Sequence, residues 1–319
     1  MSVPLIPLSV PKNQRARFRR HFQQATRKTG RLILFAGDQK VEHLNADFYG
    51  RGIAPEDANP EHLFKIASQA EIGVFATHLG LIDRYGQSYK NIPYLVKLNG
   101  RTNLFTDKEE LDSRAWFPVE TVIDFKNQSR LNIVGVGYTI YLGGRRESRM
   151  LKEAARVIYE AHQNGLLAVV WIYPRSSKIK NESDIHLTAG AAGVAAALGA
   201  DFVKVHYPYD NKNALKTATD FQEVTAAAGK TGVICVGGSK QSALDLIKTV
   251  HLQINKGQSR GLALGRNLHQ RPLEEAIRLS RALSAIIYKN KTEAEAIKLY
   301  KTPLPRRHPV AKFLNFFSF

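Results

Sequence analysis

The segment AVVWIY, residues 168–173, decides the fold of this chain. It is a short apolar run rich in β-branched and aromatic residues, and helical patterns flank it at 146–163 and 185–198. A short apolar run between two amphipathic segments is typical of a buried strand in a parallel sheet. The segment therefore predicts a βαβ unit, and the question is how often that unit repeats.

The same alternation continues through the chain from about residue 30. Eight apolar runs lie at 32–38, 73–78, 94–99, 133–141, 168–173, 202–207, 232–236 and 261–264. Helical patterns lie at 61–70, 119–129, 146–163, 185–198, 213–228, 241–256 and 272–289, whereas the connection at 79–93 is too short and irregular to predict a helix. Eight strands with intervening helices favour a single parallel (β/α)8 TIM barrel over an open doubly wound sheet.

We divide the chain into a basic N-terminal arm with a helix (1–30), the barrel (31–290), and a C-terminal helix and tail (291–319). The length of 319 residues, 44% of them hydrophobic, suffices for one large core. In the arm, Phe18, His21, Phe22 and Ala25 recur at helical spacing, which predicts a helix with its apolar face docked and its arginines in solvent. The tail from residue 302 mixes prolines, basic residues and phenylalanines. We expect an extended arm packed on the barrel or on a neighbouring subunit.

Charge and composition narrow the classes of protein. The formal charge is +18, and residues 1–37 contain no Asp or Glu. Such a surface attracts anions, so an anion- or RNA-binding arm and an organellar presequence stay open as alternatives to the docked helix. The apolar runs are far shorter than the roughly 20 residues of a transmembrane helix, and no secretory signal is evident. A single cysteine, Cys235, excludes a disulfide framework and suits the cytoplasm, and we expect it to be a small core residue.

Lys204 is the first candidate for chemistry. Because strand side chains alternate, Lys204 shares a face with Phe202 and His206, and the valines between them suit the helix-covered exterior. A lysine inside a barrel is either ion-paired or functional. Burial and nearby cations lower the pKa of an ammonium group and leave a fraction as the free amine that attacks a carbonyl. Lys204 is therefore predicted to be a Schiff-base nucleophile, with a structural ion pair as the alternative.

Other strand ends carry polar groups on the same side. Trp171 and Tyr173 share a face of the neighbouring strand, where Tyr173 is placed for proton transfer, although both could be ordinary core aromatics. Asp38 ends the first strand, as a partner for a lysine or as a helix cap. Lys97 and Asn99 are predicted by the same rule to be rim groups that bind substrate hydroxyls or phosphate.

Two glycine turns follow the last two strands. They are Gly237-Gly238-Ser239-Lys240 and Gly265-Arg266-Asn267. Barrels often bind phosphate at these two loops, because glycines let backbone N–H groups approach the anion. Lys240 and Arg266 would supply the countercharge.

Several motifs resemble those of a known family. The segments GDQKVEH (37–43), WIYPR (171–175), ADFVK (200–204) and VGGSK (236–240) resemble those of the archaeal-type class I fructose-bisphosphate aldolases, which are DhnA-like Schiff-base aldolases. The segments KLNG (97–100), GYTIYLG (137–143) and GRN (265–267) are similar too, and the resemblance spans about residues 30–275. It implies a (β/α)8 barrel in which Lys204 forms the imine, Tyr173 shuttles the proton, and Trp171 and Asp38 line the site. Arg175 joins the predicted substrate- and phosphate-binding residues.

The resemblance also implies an activity. It is the reversible cleavage of fructose 1,6-bisphosphate to dihydroxyacetone phosphate and glyceraldehyde 3-phosphate, in glycolysis or gluconeogenesis, by a cytoplasmic homo-oligomer. The family's Asp-His-Gly is here Asp38-Gln39-Lys40, and its Gly-Gly-Pro-Lys is here Gly237-Gly238-Ser239-Lys240. These departures leave open an enzyme acting on another phosphorylated ketose, such as an aminodeoxyheptulosonate synthase. A non-catalytic barrel that binds anions or nucleic acid is the alternative from another class, with nucleic acid the less favoured partner and no membrane partner expected.

Cofactor and metal chemistry find little support in the motifs. Gly135 and Gly137 match the first two glycines of a dinucleotide fingerprint, but the third is missing and the segment lies in a predicted strand. There is no His-Glu-x-x-His motif, and His43, His78 and His206 are scattered, as is His186. We therefore expect no cofactor and no metal, with a metal-dependent aldolase as the minor alternative.

Overall fold

The computed structural model describes residues 5–104, 107–108, 110–208 and 213–305, which form a closed barrel of eight parallel strands in chain order. The strands are β1 (Leu32–Ala36), β2 (Val74–His78), β3 (Tyr94–Lys97), β4 (Ile133–Leu142), β5 (Leu167–Pro174), β6 (Phe202–Val205), β7 (Gly232–Val236) and β8 (Gly261–Leu264). Pairing of β1 with β8, with Leu34 opposite Ala263, closes the barrel. The predicted (β/α)8 barrel is confirmed.

The helices cover the outside of the barrel and one of its ends. They are α1 (Arg15–Ala25), α2 (Gln39–Glu42), α3 (Glu61–Gln69), α4 (Leu79–Tyr85), α5 (Val119–Ser129), α6 (Glu147–Gln163), α7 (Ile185–Ala197), α8 (Ala214–Asp220), α9 (Gln222–Ala228), α10 (Ala243–Asn255), α11 (Arg266–His269), α12 (Leu273–Lys289) and α13 (Glu293–Lys301). No helix in the described ranges is long and apolar enough to cross a membrane.

The structure differs from the predicted elements in three places. The helix predicted at 213–228 is two helices, α8 and α9, which meet at the fully buried Phe221. The connection at 79–93 contains α4 and a short 3-10 turn, Gly86–Tyr89. Strands β1, β3 and β6 end at Ala36, Lys97 and Val205, each two residues earlier than predicted, because the chain leaves the hydrogen-bonded ladder as it reaches the polar rim.

Helix α1 closes the N-terminal end of the barrel. Phe18 and Ala25 are fully buried, and the ring of Phe22 stacks on that of Phe202 at 5.8 Å. The fit is close at Gly73, where a Cβ would lie 2.0 Å from the carbonyl oxygen of Ala25. The predicted docked helix is confirmed, and the opposite, C-terminal end of the barrel is left for the polar strand ends.

Helix α13 follows α12 and ends the described part of the chain. It begins with a capping box in which Thr292 and Glu295 each bond to the other's backbone N–H. Most of the tail predicted at 302–319 lies outside the described residues, which end at 305.

Candidate active site

Lys204 lies inside the barrel, as its strand parity predicts. It pairs in register with Trp171 of β5, and its Nζ lies 5.0 Å from the centroid of the indole ring. The side chain is buried, and burial lowers its pKa below the ordinary value of 10.5, against the opposite influence of Asp38 and Glu42. Lys97 and Arg266 lower the pKa further. The lowered pKa favours the free amine form of Lys204, which is the form that attacks a carbonyl.

The Ala-Asp pair before β6 positions the strand that carries this lysine. The carboxylate of Asp201 accepts hydrogen bonds from the backbone N–H of Ala168, at 2.8 Å, and from Nε2 of His162, at 3.2 Å. His162 Nδ1 in turn accepts a hydrogen bond from the Ser9 hydroxyl at 2.7 Å. Asp201 thus ties the start of β6 to β5, to α6 and to the N-terminal arm, far from the reacting end of the barrel.

Lys97 lies deeper than the predicted rim position. It is fully buried, and its Nζ lies 5.3 Å from the same Trp171 ring. The ammonium group donates to the carbonyl oxygen of Asn99 at 2.7 Å and to its Oδ1 at 3.2 Å. Burial lowers the pKa of Lys97, while Asp38 and Glu42 raise it. Lys97 is thus a second cation beside Lys204.

Asn99 holds Lys97 and two chain segments together. Its Nδ2 donates to the carbonyls of Ser113 and Thr139, both at 2.8 Å, and its Oδ1 accepts from the Thr139 N–H at 2.7 Å. The side chain is fully buried. Because these bonds occupy its polar atoms, Asn99 fits a structural role better than the predicted contact with substrate.

Two carboxylates face the two lysines. Both oxygens of Asp38 and Oε1 of Glu42 are buried without a hydrogen-bond partner among the described residues. Burial and the neighbouring Asp38 raise the pKa of Glu42. Unpaired buried oxygens of this kind indicate where a ligand would bind. Glu42 was not predicted as a site residue, although its i,i+4 spacing from Asp38 was a signal that the two share one face.

Tyr173 lies nearer the opening than Trp171. Its ring centroid is 4.6 Å from that of His206 and 6.3 Å from that of Tyr141. Burial and the two carboxylates raise its pKa well above 10.0, so Tyr173 keeps its proton at neutral pH. Burial and Arg175 lower the pKa of His206 to about 4, which leaves that ring neutral.

Two rim histidines were noted in the sequence but not predicted to line the site. His206 contacts Tyr173, and His78 stacks on Trp116 with ring centroids 4.4 Å apart. The Nε2 atom of each is buried without a partner among the described residues. The sequence predicts that the two histidines lie at the ends of β2 and β6. It does not predict which side chains they contact.

Arg175 is anchored at the rim above the tyrosines. Its Nε donates to Glu182 at 2.8 Å, and Glu182 also pairs with Lys108 at 3.0 Å. The guanidinium carbon lies 5.6 Å from the ring centroid of Tyr141 and 5.9 Å from that of Tyr173. A substrate phosphate would have to share this guanidinium with Glu182.

Asn267 joins the two predicted phosphate loops. Its Nδ2 donates to the carbonyls of Gly237 at 2.7 Å and Ser239 at 3.1 Å, and its Oδ1 accepts from the Gln241 N–H at 3.0 Å. Gly238 adopts φ +65°, which favours glycine. The sequence placed Gly265-Arg266-Asn267 beside the first loop only by analogy with other barrels, and Asn267 provides the physical link.

The two predicted countercharges differ in their surroundings. Arg266 Nε lies 3.6 Å from Oδ2 of Asp47, which also pairs with His43. Lys240 Nζ instead donates to the carbonyls of Gly52 at 2.7 Å and Gln270 at 3.0 Å. The contact of Arg266 with Asp47 is longer than the two hydrogen bonds of Lys240, so Arg266 is the better candidate for a phosphate ligand.

A primary amine of lowered pKa, buried at the open end of a parallel barrel and facing unpaired carboxylates, is what imine chemistry on a carbonyl substrate requires. The fold and site therefore define a lysine-dependent aldolase barrel. Comparisons with known proteins agree: the DeoC/LacD family aldolase model matches residues 32–271. The chain is also 51% identical, over 92% of its length and 94% of the relative's, to the fructose-bisphosphate aldolase/6-deoxy-5-ketofructose 1-phosphate synthase of Methanocaldococcus jannaschii.

Solved structures give the same result. The fructose-bisphosphate aldolase from Slackia heliotrinireducens superposes with a TM-score of 0.90 at 43% identity, covering 95% of this chain and 96% of that one. An archaeal fructose-1,6-bisphosphate aldolase, with its catalytic lysine covalently bound to a carbinolamine intermediate, gives 0.72 at 32% identity, covering 85% and 99%. The chain belongs to the DeoC/LacD aldolase family, among the archaeal-type class I fructose-bisphosphate aldolases, and the resemblance seen in the sequence is confirmed.

Proposed function

We propose that this protein is a class I fructose 1,6-bisphosphate aldolase with Lys204 as its nucleophile. The observation that carries the proposal is the buried Lys204, whose pKa is lowered and whose amine lies 5.0 Å from the Trp171 ring centroid, within the electrostatic influence of the unpaired carboxylates of Asp38 and Glu42. The names of the relatives at 51% and 43% identity support the same reaction.

The first half of the reaction is imine formation. The free amine of Lys204 attacks C2 of the open-chain ketose, and the resulting carbinolamine loses its hydroxyl as water once an acid protonates it. Solvent can supply this proton, and Tyr173, which retains its own proton at neutral pH, is our candidate donor for the later protonation of C3. The protonated imine is an electron sink, and Asp38, whose oxygens have no partner among the described residues, would stabilise its positive charge.

The second half is cleavage of the C3–C4 bond. A base removes the proton of the C4 hydroxyl, the C4 carbonyl forms, and the bonding electrons move through C3 into the imine. Glyceraldehyde 3-phosphate leaves and an enamine stays on Lys204. Tyr173 then donates its proton to C3, which regenerates the protonated imine. Hydrolysis of that imine releases dihydroxyacetone phosphate, the free lysine and a proton that restores the tyrosine.

Phosphate binding would position the substrate for these steps. The N–H of Gly237 donates to the carbonyl of Ala263 at 2.9 Å, so the backbone N–H groups proposed for phosphate are those of Gly238, Ser239 and Gly265. Arg175 lies above the tyrosines on another part of the rim. Holding the two phosphates at separate points fixes C2 beside the amine, which raises kcat as well as affinity.

A second candidate function shares the enamine. The relative at 51% identity is also named a 6-deoxy-5-ketofructose 1-phosphate synthase. Retro-aldol cleavage of that product between C3 and C4 would give dihydroxyacetone phosphate and a three-carbon 2-oxoaldehyde. The enamine on Lys204 could therefore attack this aldehyde in place of glyceraldehyde 3-phosphate. The departures at Gln39, Lys40 and Ser239 from the family pattern make this candidate worth testing.

The proposal extends to the setting of the enzyme. A phosphorylated-sugar aldolase of this kind would act in the cytoplasm, in glycolysis or gluconeogenesis, and Cys235 is a free, buried thiol as a reducing compartment allows. We propose a homo-oligomer, because Leu104 and Tyr49 are apolar side chains 74% and 70% exposed that a subunit contact would cover. Light scattering of the purified protein tests this.

The test of the function is turnover combined with trapping. We expect cleavage of fructose 1,6-bisphosphate, unaffected by prolonged chelation, and inactivation by borohydride only when dihydroxyacetone phosphate or the bisphosphate is present. Adding a three-carbon 2-oxoaldehyde during cleavage tests the synthase candidate by the appearance of the six-carbon product. A protein that turns over no phosphorylated ketose, or one that loses activity on chelation and regains it with zinc, would contradict the proposal.

A further inference from the structure

The N-terminal end of the barrel, opposite the proposed active site, carries cations that the aldolase chemistry does not use. We define the basal cationic face as the six exposed residues Lys12, Arg15, Arg17, Arg19, Arg20 and Lys28. Residues 1–37 contain no Asp or Glu. Across the described part of the chain, the ion pairs of the structure include none of these six cations. Their charge is therefore uncompensated within the ranges that the structure describes.

Together with burial, the positive potential at this face lowers the pKa of a neighbouring lysine, Lys126. The amine of Lys126 donates to the carbonyl of Ile133, and its pKa falls to about 8 through burial and the charges of Arg17 and Arg20. Arg17 lies close to the floor of the barrel, since a Cβ at Gly165 would lie 3.2 Å from its side chain. Several cations therefore converge on one small area, and bringing them together is unfavourable unless an anion binds there.

Two cavities border α1, one lined in part by Gln24 and the other by Phe22. One cavity, of about 550 Å³, is lined by residues that include Arg27 and Lys90. Another, of about 430 Å³, is lined by residues that include Phe22, Lys230 and Arg260. Each cavity is lined in part by residues of α1 or its C-terminal end and adds further cations to this end of the barrel, which suits an extended polyanion better than a single small one.

The packing of α1 decides between two extended polyanions. An amphipathic helix binds an anionic membrane by burying its apolar face in the lipid. Here that face is already used, because Phe18 and Ala25 are fully buried and Phe22 stacks on Phe202. What the helix presents outward is polar and arginine-rich, and arginine forms paired hydrogen bonds with phosphate oxygens.

We propose that the basal cationic face binds the sugar-phosphate backbone of nucleic acid, independently of sequence. Arg17 and Arg20 are one helical turn apart, as are Arg15 and Arg19, so cations repeat about every 5 Å along the helix. The active site opens at the other end of the barrel, so binding here leaves the aldolase reaction unobstructed. The inference does not depend on the identity of the sugar substrate.

The experiment measures the binding of a labelled single-stranded RNA of about 24 nucleotides, by fluorescence anisotropy, between about 50 and about 200 mM salt. The test variant combines Arg17→Gln, Arg19→Gln and Arg20→Gln. The matched control combines Arg149→Gln, Lys152→Gln and Lys248→Gln, which removes the same charge from exposed positions on α6 and α10. Sugar cleavage and thermal melting are measured on both.

We expect wild-type binding whose affinity falls steeply with salt. The test variant should bind about tenfold or more weakly, with the slope of log affinity against log salt reduced by about 2, since each phosphate contact with a single strand contributes about 0.7. The control should bind within about threefold of wild type, and both should cleave sugar normally. Should the triple variant melt early, the single changes Arg19→Gln and Lys28→Gln should each still weaken binding about twofold.

Four results would overturn the inference. They are no saturable binding at about 50 mM salt, equal weakening by the test and control variants, binding of phosphatidylglycerol vesicles that RNA does not displace, and a changed subunit number in the test variant alone. The second would mean that net charge acts without a localised site. The last would make this face a contact between copies of the chain.

Discussion

Lys97 and Lys204 lie against the same indole ring, with their Nζ atoms 5.3 and 5.0 Å from the centroid of Trp171. The two amines differ in what holds them. Lys97 donates two hydrogen bonds to Asn99, whereas the structure gives Lys204 none within the described residues. Lys204 also keeps some exposure, 4% against 0% for Lys97. This difference favours Lys204 over Lys97 as the proposed nucleophile, with Lys97 as a neighbouring cation that lowers its pKa.

The first prediction follows from that difference. Borohydride with dihydroxyacetone phosphate should add one triose-phosphate mass to Lys204, and peptide mass mapping locates the label. Lys204→Arg keeps the charge but should abolish labelling and cleavage together. Lys97→Met should still be labelled at Lys204. A label on Lys97 would show that an interior lysine forms the imine but that Lys204 is not the nucleophile.

The second prediction concerns Tyr173. Replacing it by Phe leaves Lys204 in place, so trapping with borohydride should persist. Turnover should fall by about 10²–10⁴, the usual contribution of a positioned proton donor. The first measurement is the steady-state rate of cleavage. The second is the exchange with solvent of a proton on the hydroxymethyl carbon of dihydroxyacetone phosphate, which is C3 of the hexose. Tyr141→Phe is the matched control on β4, and a comparable loss there would argue against a special role for Tyr173.

The third prediction concerns pH. Imine formation needs the free amine, so its rate rises with pH through the folded pKa of Lys204, which burial places below 10.5. Lys97 lowers this pKa and Asp38 raises it. Lys97→Met should therefore move the acid limb to higher pH, and Asp38→Asn should move it to lower pH. Single-turnover trapping across pH measures both, and shifts in the same direction would refute the assignment.

The fourth prediction concerns the phosphate loops. Arg266→Ala removes a countercharge and should raise the KM for the bisphosphate about tenfold or more. Asn267→Ala removes three hydrogen bonds between the loops and should raise the KM and the inhibition constant of inorganic phosphate, while trapping of a substrate without phosphate changes little. Lys240→Ala should have the smaller effect of the two cation changes, because its amine binds backbone carbonyls. Unchanged kcat/KM in Arg266→Ala would place the phosphate elsewhere.

The fifth prediction concerns the support of Trp171. A Cβ at Gly137 would lie 2.7 Å from Cζ3 of Trp171 and 2.8 Å from Cδ2 of Leu95, so Gly137→Ala must displace the indole. We expect a loss of about 1–3 kcal/mol in stability, by denaturant unfolding, and a clear loss of activity. Gly190→Ala, a helical position with no atom within 4 Å of the added Cβ, should instead be neutral or stabilise by about 0.5–1 kcal/mol. Equal activity in the two variants would show that the indole's position is unimportant.

The sequence by itself determined a parallel α/β fold with eight strands, and the direction of its central side chains. Eight repeats of a strand followed by a helix indicate a parallel sheet, either open or closed into a barrel. Side chains alternate between the two faces of a strand, so Lys204 and Trp171 point inward if the adjacent valines point outward. The two glycine turns were likewise predictable, because glycine permits a close backbone approach wherever it occurs.

The tertiary structure alone decided which polar groups meet. Glu42 faces both lysines, and Asn267 joins the two loops, and these partners come from different strand ends that the folded barrel brings together. The pKa of Lys204 was equally beyond the sequence, since it depends on burial and on distances to charges far along the chain. Periodicity is a local property of the chain, whereas electrostatic and hydrogen-bonding partners are set by packing between distant segments, which the linear sequence does not specify.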